Sequence, residues 1–225
     1  MTSRSLRFLL SLALLAGCAD DLGAGSGTPD GGLTGPPMFD GGLVGAGTVT
    51  TTDLGDGLFE TVVDAQDGER WIAFDFATGE GTGDVGETEE WDLAFRRFHA
   101  RTNGGVSGDA NVGVAVIDGV RLDDVDGANA PTEGFLADAP DGDDDNEDPD
   151  YVISSGESPW YDYNFMTHVL TPKERVYIVR ARDGRRYAFV YVDYYNEMGE
   201  SGTPAFQWKD LGDVPSTGGG METGG

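Results

Sequence analysis

The chain has a single cysteine, Cys18, so no intramolecular disulfide can brace its fold, even in an oxidising compartment. Only 14 lysines and arginines stand against 41 aspartates and glutamates, a formal charge of −27. That leaves too little positive charge to hold a nucleic-acid backbone, and an acidity of this size speaks for solvation rather than for chemistry. Histidine is scarce, with only His99 and His168. No stretch shows the 3.6-residue apolar period over the length of a convincing amphipathic helix. The apolar run from Phe8 to Ala16, interrupted only by Ser11, is too short for the ~20 residues a membrane-spanning helix needs.

That run is what a signal segment requires. Arg4 and Arg7 precede it, and it ends in Leu15-Ala16-Gly17-Cys18, which resembles the lipobox of bacterial lipoproteins. Residues 1–17 are therefore expected to be a removable signal peptide, and Cys18 the lipid anchor, its thiol carrying diacylglycerol beside fatty acyl chains such as palmitate. Cleavage removes two arginines and no acid, which takes the formal charge from −27 to −29 over the remaining 208 residues. Ala19 follows the cysteine where an inner-membrane retention signal would place aspartate, so the outer membrane or cell surface is the expected address. Residues 18–50, rich in Gly, Thr and Pro with Asp-Gly-Gly at 30–32 and 40–42, read as a tether. Residues 212–225 have a similar composition and are expected to be a disordered tail, leaving 51–211 as the folded domain.

Inside that span the dominant period is two. Ile72, Phe74 and Phe76 alternate with smaller or polar residues, as do Val112, Val114 and Val116, and the odd positions from Tyr187 to Tyr195. Asp67-Gly68 and Asp183-Gly184 each separate two strand-like runs, so both are expected to close β-hairpins. A two-residue turn at the second would set Arg182 opposite Arg185 and Ala181 opposite Arg186, with these arginines as salt-bridged surface residues. Phe206 and Trp208 suggest a short last strand, and 123–150 reads as a long polar insertion. The expected class is antiparallel all-β, a sandwich or strongly curved sheet.

Two stretches carry a family resemblance. Trp91-Asp92-Leu93-Ala94-Phe95 leads into Thr102-Asn103-Gly104-Gly105-Val106-Ser107-Gly108, and a later YIVR, Asp-Gly, tyrosine-rich sequence ends in Tyr194-Tyr195. Together with the cysteine box they resemble the HmuY-like haem-binding lipoproteins over nearly all of 51–211. The resemblance implies an all-β fold, an outer-membrane or released lipoprotein, and capture of haem through two axial His or Met side chains. A haem-carrying protein and an outer-membrane receptor are then the implied partners, besides membrane lipid at Cys18. No nucleic acid and no enzymatic activity are implied.

On residue chemistry, neutral imidazole makes His99 and His168 the candidate iron ligands. A strand running on from Trp91 would place Trp91, Leu93, Phe95, Arg97, His99 and Arg101 on one face, with Arg97 and Arg101 available to haem propionates. Met166, two residues before His168, would share its face in an extended segment, with Trp160, Tyr161, Tyr163 and Phe165 nearby for stacking. The acidic run 141–150 offers Asp141, Asp143, Asp145 and Glu147 as oxygen ligands for Ca²⁺, although it lacks the glycine of an EF-hand loop. Gly81-Thr82-Gly83-Asp84-Val85-Gly86 matches a dinucleotide pattern, but Glu87, Glu89 and Glu90 follow, which would repel a pyrophosphate. The expected function is haem acquisition; the alternative is a structural or adhesive surface lipoprotein binding Ca²⁺ through the acidic loop.

Overall fold

The two-residue alternation becomes strands throughout the computed structural model, which describes residues 47–86, 90–142, 148–155 and 159–214. The signal segment, Cys18 and nearly all of the tether lie outside the described residues, as do 215–225 and Asp143, Asp145 and Glu147. In chain order the strands are β1 Val49–Gly55, β2 Leu58–Val63, β3 Ile72–Asp75, β4 Glu80–Asp84, β5 Leu93–Arg96 and β6 His99–Thr102. There follow β7 Gly113–Asp118, β8 Tyr161–Asn164, β9 Val169–Pro172, β10 Arg175–Arg180, β11 Arg185–Tyr195 and β12 Ser201–Asp213. The only described helix is a single 3-10 turn at Leu122–Asp124. No helix among the described residues is long and apolar enough to cross a membrane.

Every strand pairing is antiparallel, and the class is the expected all-β one. A six-stranded sheet runs β1-β2-β12-β11-β10-β7, a four-stranded sheet runs β4-β3-β5-β6, and β8-β9 form a separate two-stranded finger. Phe74 and Phe95 of the small sheet, with Phe76 just past β3, meet Phe189, Phe206 and Trp208 of the large one in a common core. Fully burying such a ring is worth about 1.5–3 kcal/mol. Edge-to-face pairs such as Phe74–Phe206, 5.3 Å apart at 80°, add about 0.5–1.5 kcal/mol each. This aromatic packing holds the described fold, which contains no cysteine.

Several local readings change. Asp67-Gly68 closes no hairpin: β2 belongs to the large sheet and β3 to the small one, so this segment is a crossover between them. The hairpin at Asp183-Gly184 does form, but with Arg180 opposite Arg186 and a loop of Arg182, Asp183 and Gly184. The last strand is not short. β12 spans 13 residues in the interior of the large sheet and reaches Asp213, inside the expected tail. The 123–150 insertion is largely tied down: Leu122, Val125 and Ala130 cover the outer face of β10 and β11, packing with Val176, Ile178 and Ala188. Leu136 bridges Val114, and Ala139 bridges Asp150. Arg186 is 1% exposed, not a surface residue. It donates to the carbonyls of Gly127, Ala130, Pro131 and Asp213 and so pins that covering segment.

Candidate functional site

The expected strand from Trp91 to Arg101 is a hairpin. β5 turns at Arg97-Phe98 into β6, with Arg96 opposite His99 and Ala94 opposite Arg101. Directly opposed residues share a face, so His99 and Arg101 lie with Ala94 and Arg96 on the outer face of the small sheet. Leu93 and Phe95 point the other way, into the core; of the expected apolar stripe only Trp91 lies beside Arg101. Arg97 sits in the turn with φ 55°, and its guanidinium donates to the Gln66 carbonyl at 3.1 Å and to Ser201 Oγ at 3.2 Å. It is therefore separated from His99, where the sequence pattern had grouped them.

The signature stretches are structural. Asp92 is fully buried and accepts the Arg182 N–H at 2.7 Å and the Phe76 N–H at 3.0 Å, tying the β10–β11 loop to the small sheet. Asn103 donates to the Trp91 carbonyl at 2.9 Å. A Cβ on Gly104 would lie 2.1 Å from the Val112 oxygen and one on Gly105 1.9 Å from the Asp138 oxygen, so this turn has room for glycine alone.

On the outer face, the Arg101 guanidinium lies 4.3 Å from the Trp71 ring centroid and 5.4 Å from that of Trp91, and Arg96 lies 4.6 Å from Trp71. His99 packs on Phe98 at 4.1 Å and against Tyr151 at 5.8 Å. Burial, and then the positive charge of Arg96, hold its pKa below the usual histidine value, which favours the neutral imidazole. Nothing in the sequence period announced Trp71, Arg96 or Tyr151, which come to this face only through the sheet pairing.

The finger presents a different set. Met166 and His168 do not share a face of an extended strand; they sit in the four-residue turn between β8 and β9, with His168 at φ 57°. Met166 is 90% exposed and Phe165 79%. The Tyr163 hydroxyl and Nδ1 of His168 share a hydrogen bond, which occupies that nitrogen and leaves Nε2 for a metal. Tyr163 and Phe165 meet edge to face at 4.9 Å. Trp160 is instead core, stacked on Tyr191 at 4.4 Å with its N–H donated to the Phe98 carbonyl. The finger's base meets the β5–β6 turn where Tyr161 contacts Phe98 at 5.9 Å. The structure thus places Met166 and His168 in one turn, and His99 and Arg101 on one sheet face, on two separate elements.

A cavity of about 240 Å³ lies elsewhere, lined by Phe59, Phe76, Tyr187, Trp208 and Asp210 among others, and neither histidine lines it. Its polar groups are already paired, Trp208 Nε1 with Thr61 Oγ1 and Asp210 with Arg185. Among the described residues no group of three His, Cys, Asp or Glu side chains is placed to hold a metal ion, and Asp141 has no such neighbours.

The family model described as HmuY protein matches residues 67–208. No curated protein matches the chain. Among solved structures, a candidate lipoprotein of Bacteroides fragilis superposes with a TM-score of 0.53 at 22% identity, over 72% of this chain and 95% of the other. A candidate HmuY-like haem-binding protein of Bacteroides vulgatus gives 0.50 at 23%, over 72% and 96%. The apo form of an HmuY analogue from Tannerella forsythia gives 0.51 at 14%, again over 72% and 96%. At these identities the likeness is one of fold.

Proposed function

Because the chain belongs to the HmuY family, we propose that it is an exported, lipid-anchored module that captures haem, with a side chain of the β8–β9 finger available to hold the iron. The observation that carries this reading is the finger's turn. It sets a histidine with one ring nitrogen already hydrogen-bonded and a solvent-exposed thioether two residues apart, beside exposed aromatic surface. Exposed Phe165 and Met166 would be a liability on a purely soluble domain, and a flat apolar ligand would cover them. His168 would bind iron through Nε2 while Nδ1–H donates to Tyr163, an outer partner that fixes the ring. Met166 is the second ligand available from the same turn. His99, neutral and half-buried, is the remaining candidate. Haem would supply the iron; what the protein supplies is ligation, an apolar contact surface and orientation.

The test is the absorption spectrum of the mature chain carrying Cys18→Ser with haemin. His168→Ala should lose the low-spin bands of the wild-type complex and weaken binding about tenfold or more, the scale of one good metal or charged contact. Met166→Ala should leave the ferric spectrum nearly intact if the thioether is secondary. A His168→Ala spectrum identical to wild type would remove the finger histidine from the site.

A further inference from the structure

Arg101 is a half-buried cation with no carboxylate partner among the described residues. Arg70, Arg175 and Arg185 each meet an aspartate, whereas Arg101 makes no ion pair among the described residues and instead has its guanidinium against the rings of Trp71 and Trp91. Its Nε and the Nδ1 of His99, two residues away on the same face, are both shielded from solvent and lack a hydrogen-bond partner. Arg96 adds a second guanidinium on Trp71, and its one carboxylate contact, Asp148 at 3.3 Å, is partly exposed. The buried Asp138 accepts the backbone N–H groups of Thr102 and Val152. Two guanidiniums, an imidazole and the Tyr151 phenol therefore converge around one indole, in a protein where negative charge is otherwise in large excess.

We propose that Arg101 and Arg96, held on Trp71 beside Tyr151, form a subsite for the carboxylate of a flat-ring ligand. The guanidinium forks match a carboxylate in two-point geometry, and the indole offers an apolar plane next to them. The proposal rests on the haem reading, in which the carboxylate is a porphyrin propionate; a free small carboxylate has the same chemistry. Phe98 connects the subsite to the finger, touching His99 on one side and Tyr161 at the finger's base on the other.

Iron-free protoporphyrin IX and its dimethyl ester separate this subsite from iron ligation. In the mature Cys18→Ser chain, followed by tryptophan quenching, the diacid should bind about tenfold tighter than the diester, as one charge-assisted contact predicts. Arg101→Gln should reduce that preference to about twofold or less, and Arg101→Lys should restore part of it. Should Arg101→Gln melt too low to assay, Arg96→Gln makes the same comparison. Equal affinities in wild type, an undiminished preference in the variants, or no binding of either porphyrin would overturn the proposal. Sodium propionate binding as tightly as the diacid would overturn its flat-ring part. A haemin spectrum that persists through any of these outcomes would leave the haem reading standing, and a haemin spectrum that is also absent would end both.

Discussion

Asp92 has no exposed surface, and its carboxylate faces Asp75 as well as two backbone N–H groups. Burial raises its pKa from 3.8 to about 6, and the two N–H donors only partly offset this. Because the folded state binds this proton more tightly than the unfolded chain, Asp92 costs stability above about pH 6, and that cost disappears as pH falls towards 3.8. His99 acts in the opposite direction, since its lowered pKa costs stability once pH drops below 6.5. Comparison with Asp92→Asn isolates the first effect. From about pH 7.5 to about pH 4, wild type should gain on the order of 2 kcal/mol relative to the variant, read from urea midpoints. A constant difference across that range would mean that Asp92 titrates normally. The importance of Asp92 was legible as part of a recognisable motif, but the face on which His99 lies was not. Arg97 adopts φ 55° in a turn with no Gly, Asn or Asp to announce it. Such a conformation costs about 1–2 kcal/mol, and contacts distant in sequence offset it: its N–H to Ala65 and its guanidinium to Gln66 and Ser201.

The β10–β11 hairpin shows where element-level reading succeeds and where it slips. Asp183-Gly184 marks the turn correctly, but the same two letters serve a two-residue or a three-residue loop. The choice is made by the sheet. In the observed register Tyr177 opposes Phe189 and Val179 opposes Tyr187, all facing the core. A shift of one residue would set Tyr187 against Arg180 and drive the arginine inward. Asp183 then accepts the Arg185 N–H at 2.8 Å, and Gly184 takes φ 85°. Space is open around Gly184, so the cost of a side chain there is purely backbone strain. Gly184→Val should lower stability by about 1–2 kcal/mol without altering ligand binding, because a β-branched residue resists positive φ. A melting temperature within error of wild type would show that this turn tolerates another conformation. The finger hid itself for a related reason: YDYNFMTHVL has the alternation of one strand, and the turn within it contains no glycine.

For the whole molecule, alternation identified the class because each strand reports its own burial, whereas the assignment of strands to sheets depends on contacts far apart in the chain. Nothing near Asp67-Gly68 could say that β2 would join β12 while β3 joined β5. The segment 123–150 read as polar because it holds few large apolar residues, and the cover that Leu122, Val125 and Ala130 provide becomes visible only once β10 and β11 need one on their second face. At this scale the cysteine box makes a prediction of its own. Cys18→Ser in the full precursor should move the protein from the membrane pellet to the soluble exported fraction, and a variant that still pelleted like wild type would place the anchor elsewhere. The measurement that bears most directly on haem capture is a haemin titration of the mature Cys18→Ser chain, followed at the Soret band in ferric and dithionite-reduced states. Haem capture predicts a shifted Soret band with low-spin features that saturates at about one haemin per chain, as expected for a single iron bound through axial side chains. A spectrum that remains that of free haemin in both redox states would contradict it.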